Sequence, residues 1–134
     1  MRIEAYLFFP GTTGEAMEFY KNVFGGELTI TKRGDVDPSA SDAEKSQVIN
    51  ALLASPELHL RASDRGDCTN ATQNRVALSI IGSDEPRLRQ IYNALSADGT
   101  VDAPLEKQFW GDTFGTLTDK YAINWQVNIE AAKP

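Results

Sequence analysis

Strict alternation of apolar and polar residues marks the C-terminal part of the chain. Four apolar side chains alternate there with three amides, in the order Ile123, Asn124, Trp125, Gln126, Val127, Asn128 and Ile129. A period of two residues predicts a strand over Ala122–Ile129, which a turn at 119–121 joins to a preceding strand over Thr113–Thr118. One face of this hairpin is apolar and the other carries amides, so we expect one face on a packed core and the other on water or a polar cavity.

The chain opens with a strand that is followed by a helix. The apolar run Ile3–Phe9 ends at Pro10-Gly11 and predicts a strand that is buried on both faces. Thr12 and Glu15 match a capping box, which predicts the start of a helix, and Gly25-Gly26 ends it. The apolar stripe of this helix consists of Ala16, Phe19, Tyr20, Val23 and Phe24.

Strands and loops complete the first half. Leu28 and Ile30 alternate with threonines and predict a strand, and the polar, acidic segment Arg33–Ser46 is interpreted as a mobile loop. The remaining predicted elements are strands over Gln47–Ala54 and Leu58–Ser63, joined by a tight turn, and a second loop over Asp64–Asn74.

The second half repeats this order. A strand is predicted over Val76–Ile81, Ser83-Asp84 caps a helix and Gly99 ends it. The apolar stripe of this helix lies 72 positions after that of the first, with Leu88, Ile91, Tyr92 and Leu95 following Ala16, Phe19, Tyr20 and Val23. The pattern predicts two βαβββ modules, about residues 1–70 and 71–134, within one domain. Each module has too few elements to bury a core alone, so we expect the two to share one sheet system.

Composition and charge limit the binding partners and the cellular location that can be expected. The net charge of −6 opposes a surface that follows nucleic-acid phosphates, so no nucleic-acid partner is expected. Cys68 is the single cysteine, which excludes an intrachain disulfide. The sequence has no apolar run near the roughly 20 residues of a membrane span, and Met1 leads into a strand pattern instead of a signal peptide, so we expect a cytoplasmic protein with no membrane partner.

Three stretches of sequence together resemble the PhnB-like branch of the vicinal oxygen chelate superfamily. They are FYKNVFGGEL (Phe19–Leu28), ASD (Ala62–Asp64) and FWGDTFGTLTDKYAINWQVN (Phe109–Asn128), and the resemblance spans almost the whole chain. It implies an α+β fold in which two βαβββ modules form curved mixed sheets around a cavity with the helices outside, and it implies a homodimer. The superfamily includes glyoxalase, extradiol dioxygenase, and fosfomycin- and bleomycin-resistance proteins.

The resemblance also carries two implications for cofactors. Some members of the branch are labelled demethylubiquinone methyltransferases, but this sequence has no glycine-rich strand-to-helix turn for a nucleotide-bearing methyl donor. Enzymes of the superfamily hold a divalent metal with His and Glu side chains, and the corresponding positions here are Ala5, Leu60 or Arg61, Arg75 and Gln126, to within about a residue. Asn50 stands where the branch often has a histidine. Alanine donates nothing, arginine is cationic and glutamine is a weak ligand, so we expect neither a metal nor another cofactor.

Several polar residues are candidates for ligand binding. His59 shares a strand face with Arg61 and is either a hydrogen-bonded strand histidine, which we favour, or a general base. Arg61 and Arg75 could clamp an anionic ligand through bidentate hydrogen bonds, or they could be surface residues at strand ends. Gln126 lies on the amide face of the last strand, which is the natural wall of a cavity, and needs a hydrogen-bond partner there.

The loop before the last hairpin supplies further candidates. Phe109 and Trp110 are interpreted as core or dimer contacts, with an aromatic lid on a pocket as the alternative. Asp112 is expected to accept hydrogen bonds within its loop, with an acid–base role as the alternative.

Three functional hypotheses remain open at this point. The first, which we favour, is a protein that binds an unknown small molecule in its cavity without a metal and without turning it over. The second is a metal-dependent lyase, isomerase or dioxygenase, and the third is a structural or regulatory dimer with a filled cavity. No residue is assigned a catalytic role.

Overall fold

The computed structural model describes residues 1–66 and 76–132 and divides the chain into two compact units, Met1–Asn70 and Ala71–Pro134. The elements of the first unit are β1 (Ala5–Phe9), α1 (Thr13–Phe24), β2 (Glu27–Lys32), α2 (Arg33–Val36), α3 (Asp42–Lys45), β3 (Val48–Ser55) and β4 (Leu58–Asp64). Those of the second are β5 (Leu78–Gly82), α4 (Glu85–Ser96), β6 (Thr100–Lys107), β7 (Thr113–Thr118) and β8 (Asn124–Ile129).

The strands of the first unit form a four-stranded mixed sheet, sheet A, in the order β1-β4-β3-β2. β1 runs parallel to β4, and the other neighbours are antiparallel. Because side chains alternate between the faces of a strand, one face of sheet A gathers apolar residues under α1. The buried core between them comprises Leu7, Phe9, Ala16, Met17, Tyr20, Ala51, Leu53, Leu60 and Ala62.

The second unit repeats this arrangement in sheet B, whose order is β5-β8-β7-β6. β5 runs parallel to β8, and the remaining pairs are antiparallel. α4 packs on the apolar face of the sheet, and the buried residues are Leu88, Ile91, Tyr92, Leu95, Leu117, Trp125, Val127 and Ile129. Polar groups in this core are paired: Trp125 Nε1 donates to Asp119 Oδ2 at 2.8 Å, and the Tyr92 hydroxyl donates to the carbonyl of Ala103 at 2.9 Å.

The α+β class and the repeated pair of four-stranded mixed sheets are confirmed. Both sheets are open rather than closed into barrels. The two long helices, Thr13–Phe24 and Glu85–Ser96, lie 72 positions apart, as the repeat predicted. The predicted βαβββ pattern requires one more strand in the second module than the sequence analysis could place, and β6 is that strand.

Three local predictions are wrong. Thr12 forms no side-chain cap, so the capping box is absent, and the carboxylate of Asp64 accepts a hydrogen bond from the Thr13 amide at 3.2 Å instead. Segment 33–46 is not a plain loop, since it contains α2 and α3. β1 is buried on one face only, because Tyr6 and Phe8 are each about two fifths exposed. Phe19, Val23 and Phe24 are only half-buried, while Met17 is fully buried.

Two predictions about helix ends are confirmed. Asp84 caps α4 by accepting the Arg87 amide at 3.2 Å, and Gly25 ends α1 with a φ of 77°. Among the helices that the structure describes, none is long and apolar enough to cross a membrane. The predicted loop 64–74 begins later than expected, since Asp64 belongs to β4, and its residues from 67 onward lie outside the described part of the chain.

Candidate functional site

The face of sheet A that points away from α1 carries a mixture of charged and aromatic side chains. The registers of β1 with β4 and of β4 with β3 place Tyr6, Arg61 and Leu52 side by side on this face. Since alternate residues share a face, Phe8, His59 and Ser63 point the same way. We call this side the open face of sheet A.

A carboxylate surrounded by nitrogen donors lies at one end of this face. Glu4, the residue before β1, accepts hydrogen bonds from Arg61 Nε at Oε2 and from Arg2 Nε at Oε1, the latter at 2.8 Å. His59 Nδ1 lies 3.2 Å from Glu4 Oε1. The side chains of Glu4, Arg61 and His59 are 16%, 30% and 44% exposed, so the cluster is partly shielded but can be reached from solvent.

The cluster has a defined charge state. Side-chain hydrogen bonds from Arg61 and then His59, reinforced by the charges of Arg61 and Arg2, lower the pKa of Glu4 from 4.5 to about 2. The carboxylate is therefore ionised at neutral pH. Because guanidinium groups already bind the oxygens of this carboxylate, the ion pair is poorly suited to hold a metal ion.

Two aromatic rings continue the open face of sheet A along β1. The ring centroids of Tyr6 and Phe8 are 5.1 Å apart, and the guanidinium carbon of Arg65 lies 4.9 Å from the centre of the Phe8 ring. Exposed rings beside cationic groups offer a flat surface on which another planar group can stack.

The corresponding face of sheet B carries amides and hydroxyls, together with the apolar side chains of Ile81 and Phe114. Gln126 lies between Ser79 on β5 and Thr116 on β7 and is half-buried. The amide of Asn124 donates to Thr118 Oγ1 at 2.8 Å, and that of Asn128 donates to Asp112 Oδ2 at 3.0 Å. Gln126 forms no side-chain hydrogen bond with the residues that the structure describes, so its amide is available to water or to a ligand.

The loop between β6 and β7 holds the predicted aromatic residues and Asp112. Phe109 is 97% exposed and Trp110 is 50% exposed, with ring centroids 5.0 Å apart at nearly a right angle. They are therefore not core residues of this chain, which corrects part of the prediction, while the lid and the dimer contact remain open. Asp112 accepts hydrogen bonds from Asn128 and from the Ala131 amide, and these lower its pKa. Among the described residues, the donors to the Asp112 side chain therefore lie on β8 and just after it, not within the loop as predicted.

A pocket of about 750 Å³ lies elsewhere in the second unit. Its lining includes Ser83, Glu85, Lys107, Thr113 and Glu130, at the start of α4 and the ends of β6, β7 and β8. Of the predicted site residues that the structure describes, none lines it. Two hydroxyls, a lysine and two carboxylates point to no particular chemistry.

The metal-ligand positions inferred from the family resemblance divide between the faces. Ala5 shares the α1 side of sheet A with Leu7 and Phe9, whereas Glu4, which the sequence analysis missed, lies one residue earlier on the open face. Arg61, not Leu60, lies on that face. Arg75 lies outside the described residues. Across residues 1–66 and 76–132, no three His, Cys, Asp or Glu side chains come together as metal ligands.

Comparisons with known proteins extend over almost the whole chain. Residues 1–128 match the model of the family described as 3-demethylubiquinone-9 3-methyltransferase. The chain is similar to the crystal structure of protein PA1353 from Pseudomonas aeruginosa, with 28% identity, 98% and 99% of the two chains covered and a TM-score of 0.83. The PhnB protein from Bacillus cereus is 25% identical, with 97% and 100% covered and a TM-score of 0.77.

A more distant structure shares the fold alone. It is a glyoxylase/bleomycin resistance protein/dioxygenase domain from Frankia sp. EAN1pec, 12% identical, with 96% of each chain covered and a TM-score of 0.67.

Proposed function

The chain belongs to the family described as 3-demethylubiquinone-9 3-methyltransferase, with the glyoxalase fold, and from that premise we propose that it binds a small molecule without a metal of the kind used by enzymes of this fold. The predicted resemblance to the PhnB-like branch is confirmed. The ligand is expected on the open face of one or both sheets, because the opposite face of each sheet is covered by its helix.

The contact between Arg61 and Glu4 carries this proposal. Arg61 stands at a strand position where the superfamily's enzymes are expected to present a metal ligand, and its guanidinium is always cationic. It holds the carboxylate of Glu4 in an ion pair. A divalent cation would have to displace Arg61 and Arg2 from Glu4 while approaching their positive charges, so the cluster favours anions over cations.

Gln126 supports the same conclusion in the second unit. A neutral amide competes poorly for a divalent cation but both donates and accepts hydrogen bonds, as a polar organic ligand requires. The neighbouring amides of Asn124 and Asn128 are already engaged. Gln126 is thus the amide of this face that can turn towards a ligand.

The name of the family mentions methyl transfer, for which the described residues offer a poor fit. A methyl donor that carries a nucleoside is usually held at a glycine-rich turn between a parallel strand and the free start of a helix. Here the start of α1 is taken by the Asp64 carboxylate and that of α4 by Asp84. The proposal therefore includes no methyl-transfer step.

Calorimetry and thermal shift with zinc, nickel and manganese test the metal-free assignment. We expect wild-type protein at about 0.1 mM metal to gain no measurable stability, because a ligand stabilises a protein only when its concentration approaches the dissociation constant. Gln126→Glu should still bind metal only weakly, because a single carboxylate has no partner ligands beside it. Asn124→Asp is the matched control, since it also adds a carboxylate on the same face. A panel of metabolites measured in parallel should contain compounds that raise the melting temperature.

Tight one-to-one metal binding by wild type that disappears in Gln126→Ala would overturn the assignment. It would move the protein to the metal-dependent lyases, isomerases or dioxygenases of this fold.

A further inference from the structure

We propose that His59 and Arg61 form a carboxylate-binding site, that the side chain of Glu4 fills it from within the chain, and that the natural ligand is a small planar carboxylic acid that replaces Glu4. The inference rests on the proposed function, since it names the chemical class of ligand for the open face of sheet A.

The geometry around Glu4 is that of a bound carboxylate. Both oxygens are engaged, Oε2 by Arg61 and Oε1 by Arg2 and His59. Arg61 reaches Glu4 through Nε only among the described residues, and a guanidinium has five N–H donors, so a better-placed carboxylate could bind it in a bidentate manner. Arg61 belongs to β4, so its positive charge stays at the site for an incoming anion.

Glu4 is positioned so that it can leave. It precedes β1, which begins at Ala5, and it therefore lies outside the strand that pairs with β4. Arg2, its partner on the terminal side, is 72% exposed. His59 and Arg61 are fixed within β4, in the interior of sheet A, and would remain in place when residues 1–4 move.

The ligand's planarity follows from the rings next to the carboxylate site. Glu4, Tyr6 and Phe8 follow one another along one face, and same-face positions in a strand are about 6.6 Å apart. Tyr6 is the direct neighbour of Arg61 across the strands. A molecule with its carboxylate on Arg61 and His59 would therefore place its body over Tyr6 and Phe8, where a flat ring gains offset stacking that a puckered ring does not.

Isothermal titration calorimetry with benzoate, benzamide and cyclohexanecarboxylate tests both parts of the proposal on the full chain. Benzoate should bind wild type, benzamide should bind at least about tenfold more weakly, and cyclohexanecarboxylate should fall between them. Glu4→Gln should tighten benzoate binding about two- to fivefold, because the Glu4 carboxylate no longer competes for Arg61. Arg61→Gln should abolish binding, and Arg61→Lys should retain part of it because the charge stays while the fork of donors is lost.

Arg89→Gln is the matched control. Arg89 likewise donates from Nε to a carboxylate, Glu85 Oε2 at 2.7 Å, but it lies on α4 and should leave benzoate affinity unchanged. Urea unfolding of each variant shows whether it is folded. If Arg61→Gln is not folded, the Arg61→Lys variant provides the test of Arg61.

The outcomes separate this inference from the proposed function. Equal affinity for benzoate and benzamide, or weaker benzoate binding by Glu4→Gln than by wild type, would contradict the carboxylate site, while metabolites that bind without metal would leave the proposed function intact. Equal affinity for benzoate and cyclohexanecarboxylate would contradict the planar ligand. If no compound of either panel binds, both proposals are wrong.

Discussion

The surroundings of Glu4 link the structure to a property that can be measured, the pH dependence of the stability of the protein. Its pKa of about 2 in the folded protein lies below the ordinary value of 4.5, chiefly because of the Arg61 hydrogen bond. A carboxyl group whose pKa falls on folding stabilises the folded state above the ordinary pKa, and this stabilisation is lost as pH falls towards the folded value. Arg2 and Arg61 remain charged throughout that range, so Glu4 is the group of this ion pair that titrates.

Comparing the pH dependence of unfolding in wild type and Glu4→Gln tests this link. Wild type should be the more stable protein at pH 6, and the difference in free energy of unfolding should shrink between about pH 4.5 and pH 2. Urea denaturation at each pH measures the difference. A difference that stays constant down to pH 2 would mean that Glu4 is not held by Arg61 in solution.

The same residue explains why the candidate site was only partly predictable. Gln126 and Arg61 could be assigned to polar faces because Ile123–Ile129 and Leu58–Ser63 alternate clearly. The run Ile3–Phe9 contains apolar residues at both phases, so its alternation was hidden and the family position was assigned to Ala5. A slip of one residue moves a side chain to the other face of a sheet, and Glu4 was missed for that reason. Glu4 could have been identified from its spacing, because it lies two residues before Tyr6 and four before Phe8 and so shares their face of the strand.

At the scale of elements, the connection from α4 to β6 depends on a close backbone approach. A Cβ atom on Gly99 would lie 3.0 Å from Asp119 Cα and closer still to the carbonyl oxygen of Thr118. Both neighbours are backbone atoms at the end of β7, so neither can turn away as a side chain would. Glycine is therefore needed here for space, whereas its position in the sequence predicted only the end of a helix.

Gly99→Ala should lower the free energy of unfolding by about 1–3 kcal/mol, the usual cost of forcing extra volume into a packed site. Gly14→Ala is the control, because its Cβ meets nothing within 4 Å and alanine favours a helix, so this variant should be up to ~1 kcal/mol more stable. Chemical denaturation measures both changes. Equal stability of Gly99→Ala and wild type would show that the end of β7 yields to the added methyl group.

Elements were more predictable than their ends. Hydrophobic periodicity located α1, α4 and most strands to within about two residues, since it follows directly from which face is buried. The start of α1 could not be predicted, because its cap comes from Asp64, which is 51 positions from Thr13 and also accepts the Val48 amide at 2.9 Å. Such a long-range cap leaves no local motif. α2 and α3 were missed because four-residue helices have too few positions for a period to appear.

At the scale of the whole molecule, the exposed aromatic loop bears on assembly. A phenylalanine that is 97% exposed next to a half-exposed tryptophan is costly to leave in water, and aromatic residues are common anchors of interfaces. The homodimer implied by the family resemblance remains a prediction, and Phe109 and Trp110 are its candidate contacts.

Sedimentation velocity at micromolar concentration should find a dimer of the wild-type chain. Phe109→Ala should weaken it by about thirtyfold or more if the ring is an interface anchor, since loss of such an anchor costs ~2 kcal/mol or more. Val36→Ala, which trims another exposed apolar residue on α2, should leave the dimer constant unchanged. A single wild-type species of monomer mass would contradict the prediction.

The parallel pairing of the first and last strands of each unit also affects the order in which the parts of the protein fold. Ala5 pairs with Leu60 and Leu78 pairs with Trp125, separations of 55 and 47 residues, so neither sheet can be completed until the last strand of its unit is available. On the ribosome, β2 and β3 can pair before β4 has emerged, while β1 must wait without a partner. Contacts of this separation carry a large loop-closure entropy and slow folding. The arrangement that brings Glu4 beside Arg61 is thus among the last parts of the first unit to form.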